Sequence, residues 1–273
     1  MIKIENVSFK YKNSNTKILD KLNFEVNNGE IVAIIGENGS GKSTIGKLIS
    51  GIIKLKEGKI FIDEFDISEN YKLIQNRIGI VFQNPENQII FNNIYDELSF
   101  SLKGLDKLEI ENRINESLNQ VDMYEFKNSD LYTLSLGQKQ RIMIAEVLAK
   151  NPKYIILDEP TTMIDSKGKE KIYKIISNLK KDGYTIILIT NLADEILLAD
   201  KILILNNGKI AEEIKKENLI NSSQILSKYN IKEPTLLNIF TKLKENGITL
   251  NCKEVSIDEL VKAFKGVVNE KYS

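Results

Sequence analysis

Gly36-Glu37-Asn38-Gly39-Ser40-Gly41-Lys42-Ser43 gathers glycines, a lysine and a hydroxyl into the pattern G-x-x-x-x-G-K-[ST]. The chemistry of such a run is phosphate binding. Small residues let successive backbone N–H groups wrap a phosphate, and the N-terminus of a following helix adds its positive dipole end. Lys42 then spans the β- and γ-phosphates of a nucleoside triphosphate, the Ser43 hydroxyl is a Mg2+ ligand, and Thr44 completes the cradle. A second group, Asp158-Glu159, closes the apolar run Tyr154–Leu157. Asp158 suits the Mg2+ shell, and Glu159 suits a water to be polarised for in-line attack. Acidic residues that end a strand are common, so this pair takes its meaning from the phosphate loop.

These residues need a scaffold with strand ends at one edge. Ile31–Ile35 is wholly apolar and mostly β-branched, as a strand buried on both faces requires. After the loop, Ile45, Leu48, Ile49 and Ile52 fall on one helical face. Ile2–Phe9 and Leu22–Val26 alternate as strands, with Asn27-Asn28-Gly29 read as a tight hairpin turn after them. Further strands are expected at Lys59–Ile62, Ile78–Phe82, Tyr154–Leu157, Thr185–Thr190 and Lys201–Leu205, and Asn207-Gly208 turns the last into Lys209–Ala211. Residues 85–150 are helical in pattern, with a stripe at Ile110, Ile114, Leu118 and Val121 and a second helix over Ser135–Lys150. Ile172, Ile175, Ile176 and Leu179 stripe a helix that stops at Asp182-Gly183. Short buried strands alternating with helices specify an α/β fold with a parallel sheet. The reading is a P-loop NTPase core over residues 1–215, with an antiparallel β subdomain and a helical insertion at about 85–150. Residues 216–273 form a small α-rich appendix, with Leu236, Phe240 and Leu243 on one helix. Ser256-Ile257-Asp258-Glu259 caps another, with Leu260, Val261 and Phe264 apolar.

Composition removes other chemistries. The 273 residues include no His, which excludes a His triad, a His base or a His-ligated zinc. Cys252 is the only cysteine, so no internal disulfide forms. Lys+Arg and Asp+Glu both number 38, so no net field draws the chain to nucleic acid or lipid. No apolar stretch reaches the roughly 18–20 residues that span a bilayer.

Leu134-Ser135-Leu136-Gly137-Gln138-Lys139-Gln140-Arg141 makes the reading specific. It resembles the L-S-G-G-Q signature of ATP-binding-cassette ATPases, and the other cassette motifs stand in order around it. Tyr11 matches the aromatic that stacks on adenine, Gln83 the glutamine that senses Mg2+ and the attacking water, and Thr162–Asp165 the loop that crosses the dimer interface. An exposed strand aromatic is the rival account of Tyr11; taken alone, Gln83 reads better as a solvated loop amide, and only its place in the motif series lifts it. The resemblance implies ATP and Mg2+ as ligands, and two cassettes closed head to tail. Each ATP then lies between one chain's phosphate loop and the other's Ser135, Gly137 and Gln138. Ser135 is also a good N-cap with Gln138 three residues on, and plain capping is the rival account of it.

Ile78–Gln88, continuing to Ile94–Phe100, is similar to the energy-coupling-factor type of cassette, of bacterial vitamin and transition-metal uptake, and most like the first of its two paired ATPases. That likeness implies a second cassette subunit, an integral membrane coupling subunit, a substrate-binding membrane subunit, and a peripheral place on the cytoplasmic face of the cell membrane. It implies no nucleic-acid partner, and dimerisation as the appendix's role. The coupling helices would dock near Gln83–Glu97, with Asp96 and Glu97 receiving basic side chains; a solvated helix face is the alternative for both.

Two positions depart from the family. Asn191 stands where the switch histidine belongs, and Leu136 replaces the first glycine of the signature. An Asn amide donates a hydrogen bond to a γ-phosphate but cannot become charged. The site nucleated by Lys42 and Glu159 is therefore expected to be slow or nearly silent; the alternative is a chain that binds ATP, completes a partner's site and hydrolyses little itself. Leu136 faces the partner's ATP, so the two departures fall in different composite sites, as a heterodimer tolerates.

Overall fold

The computed structural model describes residues 1–12, 15–247, 252 and 254–263. The chain runs β1 (Ile2–Phe9), β2 (Leu19–Val26), β3 (Ile31–Ile35), α1 (Lys42–Ile49), β4 (Glu57–Ile62), β5 (Phe65–Asp66), α2 (Tyr71–Ile74), β6 (Ile78–Val81), α3 (Ile94–Phe100), α4 (Lys107–Gln120), α5 (Leu136–Ala149), β7 (Tyr154–Asp158), α6 (Ser166–Lys181), β8 (Thr185–Thr190), β9 (Lys201–Asn206), β10 (Lys209–Lys215), α7 (Ser223–Lys228) and α8 (Thr235–Glu245). Short 3-10 turns link several of them.

Alternation in the central strands builds the layers. Ile31, Ala33 and Ile35 of β3 point to one core, and Val32 and Ile34 to the other; Ile186 and Leu188 of β8 likewise oppose Ile187 and Ile189. These strands lie in a six-stranded sheet ordered β10-β9-β3-β8-β7-β6. Every pairing in it is parallel except β10 with β9. A four-stranded antiparallel sheet, β2-β1-β4-β5, shares one core with α1. The helical stretch and α6 cover the opposite face. Leu219, Leu226, Leu237, Phe240 and Val255 join that second core, so the appendix packs on the same apolar surface as the insertion.

Three local expectations are corrected. Asn27–Gly29 does turn, with Gly29 at φ 75°, but β2 and β3 belong to different sheets. The turn is a crossing between layers, not a hairpin; alternation specifies strands, not which strand they pair with. Ile52 lies beyond the end of α1, which is capped at Ser50, and is 52% exposed. In α8 the buried residues are Leu237 and Phe240, with Leu236 only partly covered. The capping reading at Ser256 is met by a 3.2 Å bond from Glu259 N–H to Ser256 Oγ; Phe264 lies outside the described residues. Among the described residues no helix is long and apolar enough to cross a membrane.

Asp63 ties the two sheets together away from the chemistry. It accepts from Arg77 Nη1 (2.6 Å), Lys153 Nζ (2.7 Å) and Tyr154 Oη (2.5 Å). Burial opposes the charge, but the bonds from Lys153, Tyr154, the N-terminal amine and Arg77 outweigh it and hold the carboxyl well below its usual range. A carboxyl depressed by folding adds stability above its unfolded pKa of about 3.9 and loses that stability as pH falls toward the folded value. Asp63→Asn is expected to cost about 1–3 kcal/mol at pH 7. In urea melts the gap to wild type should narrow steadily below about pH 4; a gap independent of pH contradicts the assignment.

Candidate functional site

The parallel strands bring four loops to one edge. β3 ends at Ile35 and releases Gly36; β8 ends at Thr190, before Asn191; β7 delivers Asp158 and Glu159; β6 leads through Phe82 to Gln83. Register keeps these ends level, with Ile35 opposite Thr190 and Asp158 opposite Ile189.

The loop needs its glycines. A Cβ on Gly36 would lie 2.1 Å from the Leu205 carbonyl oxygen. Gly41, the N-cap of α1, has φ 106°, a conformation L side chains rarely adopt. Lys42 is buried and donates to the carbonyls of Gly36 (2.8 Å) and Glu37 (2.9 Å). Burial pushes its ammonium below the ordinary range, against the pull of Glu159 and Asp158. Ser43 Oγ donates to Asp158 Oδ1 at 2.9 Å. Burial raises the Asp158 carboxyl, and the Ser43 bond offsets part of that rise. A hydroxyl beside one carboxylate is the donor set Mg2+ accepts when phosphate oxygens complete its shell. Among the described residues no group of three or more His, Cys, Asp or Glu side chains is placed to hold a metal ion.

Glu159 is the hub. Its backbone sits at φ 49°, uncommon for glutamate, and its N–H is pinned to the Ile189 carbonyl at 2.8 Å. The carboxylate takes hydrogen bonds from Gln83 Nε2 (2.8 Å), Thr162 Oγ1 (3.1 Å) and Asn191 Nδ2 (2.6 Å). Asn191 Nδ2 also reaches Asn38 Oδ1 at 2.7 Å, joining the acid to the phosphate loop. Tyr11, 38% exposed, shares a 3.2 Å hydrogen bond with Thr44 Oγ1 and meets Phe9 edge to face. Its ring thus stands beside the start of α1. Ser40 Oγ is buried without a hydrogen-bond partner.

The signature residues lie apart from this cluster, on α5. Ser135 accepts from Gln138 N–H (3.4 Å) while Ser135 N–H donates to Gln138 Oε1 (3.0 Å), a complete capping box. Asp165 caps α6 by accepting from Gly168 N–H at 2.9 Å. A Cβ on Gly137 would approach Ile164 Cγ2 to 3.1 Å, so the start of α5 and the 162–165 loop touch within the chain. Glu97 departs from its expected role: it is buried and accepts from the N–H groups of Ile90 (2.9 Å) and Phe91 (2.6 Å). It braces the loop before α3 and has no face for a basic side chain. Asp96 is exposed.

Motif reading missed the braces. Gln140 Nε2 donates to the Phe82 carbonyl (3.1 Å), Lys139 pairs with Glu86 (2.7 Å) and Gln88 bonds Glu146 (3.1 Å), fastening the segment around Gln83 to α5. The appendix also reaches the site: Asn230 Nδ2 donates to Glu37 Oε1 (3.0 Å), and Thr235 donates through N–H and hydroxyl to Asp194 (2.6 and 3.1 Å). A cleft of about 780 Å3 runs between Gly36–Asn38, Asn191 and Tyr229–Glu233. No local pattern marks these pairs, because their partners are distant in sequence.

Known proteins carry the same plan. The ABC transporter family model matches residues 19–162. The energy-coupling factor transporter ATP-binding protein EcfA1 of Clostridium perfringens is 37% identical over 274 residues, spanning 97% of each chain. Its namesake in Lactococcus lactis is 38% identical over 266 residues, spanning 96% of each. Among solved structures, CbiO1 of Clostridium perfringens, described as part of the ABC transporter complex CbiONQ, superposes with TM-score 0.75 at 31% identity, over 88% of this chain and 98% of that one. The cassette MJ0796, solved as a dimer in a post-hydrolysis state with ADP and Pi, gives TM-score 0.71 at 33% identity, over 79% and 98%. With the phosphate loop, the strand-end acids and the signature helix in one fold, this chain belongs to the ABC transporter ATPases, in their energy-coupling factor group.

Proposed function

We propose that this chain binds and hydrolyses Mg2+–ATP as the energising subunit of an uptake transporter for vitamins or transition-metal ions. The observation that carries it is the meeting of Lys42, the Ser43–Asp158 pair and Glu159 at the ends of β3 and β7, parallel strands on either side of β8. Residues 1–215 act as the cassette, with its helical subdomain at about 85–150, and 216–273 as an appendix serving dimerisation. It works on the cytoplasmic face of the cell membrane, with a second cassette, a membrane coupling subunit and a substrate-binding membrane subunit.

The residues divide the work by position. Backbone N–H groups of Gly36–Thr44 and the Lys42 ammonium hold the triphosphate, and Tyr11 stacks on the base. Ser43, Asp158 and Gln83 are the groups that would hold Mg2+, which supplies charge neutralisation at the phosphates. Glu159 orients and polarises the attacking water, once Gln83, Thr162 and Asn191 hand over the hydrogen bonds they now give it. Asn191 contacts the γ-phosphate as a neutral donor. Ser135, Gly137 and Gln138 face the partner's ATP, and Asp165 lies where the two chains cross.

Asn191 also favours a second reading, in which the chain binds ATP, completes the partner's site and hydrolyses little itself. Losing one positioned transition-state contact costs about 10²–10³-fold in rate. With the partner's catalytic acid disabled, Asn191→His should raise ATP turnover of the assembled complex by at least about tenfold. Unchanged turnover would show that the histidine's task is met by another group.

Ser135→Asp separates capping from phosphate contact. Aspartate is as good an N-cap as serine, so α5 keeps its stability. Its charge would oppose a γ-phosphate, and with Glu159→Gln silencing this chain's own site, turnover at the partner's site should fall by at least about 10²-fold. Full turnover in that variant restricts Ser135 to capping.

A further inference from the structure

Glu195 lies outside every motif, yet it is 0% exposed. Glutamate is rarely fully buried, because an unpaired carboxylate in apolar surroundings is costly. Here one oxygen, Oε1, accepts from the hydroxyl of Thr161, itself 0% exposed, and the other, Oε2, is buried with no hydrogen bond. Burial pushes this carboxyl above its ordinary range, while the Thr161 and Thr190 hydroxyls pull the other way. Such burial disfavours the charged form of the acid.

Its neighbours give that burial a use. Thr161 is two residues beyond Glu159, on the loop that continues through Thr162 to Asp165. The loop is fixed at its start by the Glu159 N–H bond to Ile189 and at its end by the Asp165 cap. Between them, the Thr161–Glu195 bond is a polar side-chain tie into the interior, beside the buried side chain of Ile164. Thr162, the next residue, turns its hydroxyl back to the Glu159 carboxylate. Glu195 stands four residues beyond Asn191, and Asp194 beside it is held from the other side by Thr235.

We propose that Glu195 is a positioning residue for ATP hydrolysis: its side chain holds Thr161, and with it the loop from Glu159 to Asp165, against the segment that carries Asn191. The contact fixes the distance between the water-polarising acid, the γ-phosphate donor and the interface-crossing loop. Fully buried, Glu195 has no exposed surface to offer a nucleotide, so ATP affinity should not depend on it. The inference rests on hydrolysis at this chain's own site, and it deepens that reading by naming what keeps the site in register.

The test uses the assembled complex with the partner's catalytic acid disabled, and two readouts. Single-turnover hydrolysis, with complex in excess over labelled ATP, reads chemistry even at a slow site. Amide hydrogen exchange over residues 160–165 reads the loop whether or not ATP is cleaved. Glu195→Ala should slow the single-turnover step by about 10–10²-fold, since a displacement near 1 Å costs that much. It should leave ATP affinity within about threefold and speed exchange across 160–165. Glu195→Gln keeps an acceptor for Thr161 without charge and should restore both readouts to near wild type. Thr161→Val removes the donor at constant size and should reproduce the alanine phenotype, which covers the case of an alanine variant that does not fold. Proportionate loss of affinity and rate in Glu195→Ala, or unaltered loop exchange in both Glu195→Ala and Thr161→Val, would overturn the proposal. Absent hydrolysis in wild type with the exchange pattern intact would count against the hydrolytic reading, not against the anchor.

Discussion

Parallel strands that end level with one another are the constraint on which everything chemical in this chain depends. β3, β8, β7 and β6 adjoin in one sheet, all running the same way. Their carboxyl ends therefore release Gly36, Asn191, Asp158 and Gln83 at one edge, where open α/β sheets bind ligands. Shifting one strand by a residue would turn its side chains to the other face. The two apolar cores prevent such a shift, because each strand has one row of Ile, Val or Leu committed to each side. The cradle's precision is thus set by packing well behind it.

The chemistry was legible in the sequence to the extent that it is local. The phosphate loop and the strand-end acids are contiguous runs whose residue types require their neighbours, and the structure places Ser43 against Asp158 and Gln83 against Glu159. What the sequence does not display is pairing at a distance. Asn27–Gly29 has hairpin chemistry but joins two sheets, since sheet membership is decided by which apolar rows meet. Glu97 reads as a surface charge in a helical pattern, and only the fold turns it inward to accept two backbone N–H groups. Glu195 and Gln140 are hidden for the same reason: their partners, Thr161 and the Phe82 carbonyl, are 34 and 58 residues away.

Around the cradle, one helix serves two distances. α5 begins with Ser135 and Gln138 and carries Gln140, which holds the strand leading to Gln83. The N-terminal end of α5 and the glutamine that bonds Glu159 are thereby tied through one helix. The appendix adds a second tie, through Asn230 to Glu37 of the phosphate loop. Glu159 is consequently fastened to the phosphate loop through Asn191 and Asn38, to α5 through the segment carrying Gln83, and to the interior through the Thr161–Glu195 bond.

What the cradle binds decides what this chain does. Calorimetric titration of ATP into the purified chain, alone and assembled with its companions, with and without Mg2+, measures it directly. Saturable binding that tightens when Mg2+ is present is the predicted result. Heats no larger than those of dilution in all four titrations would contradict it.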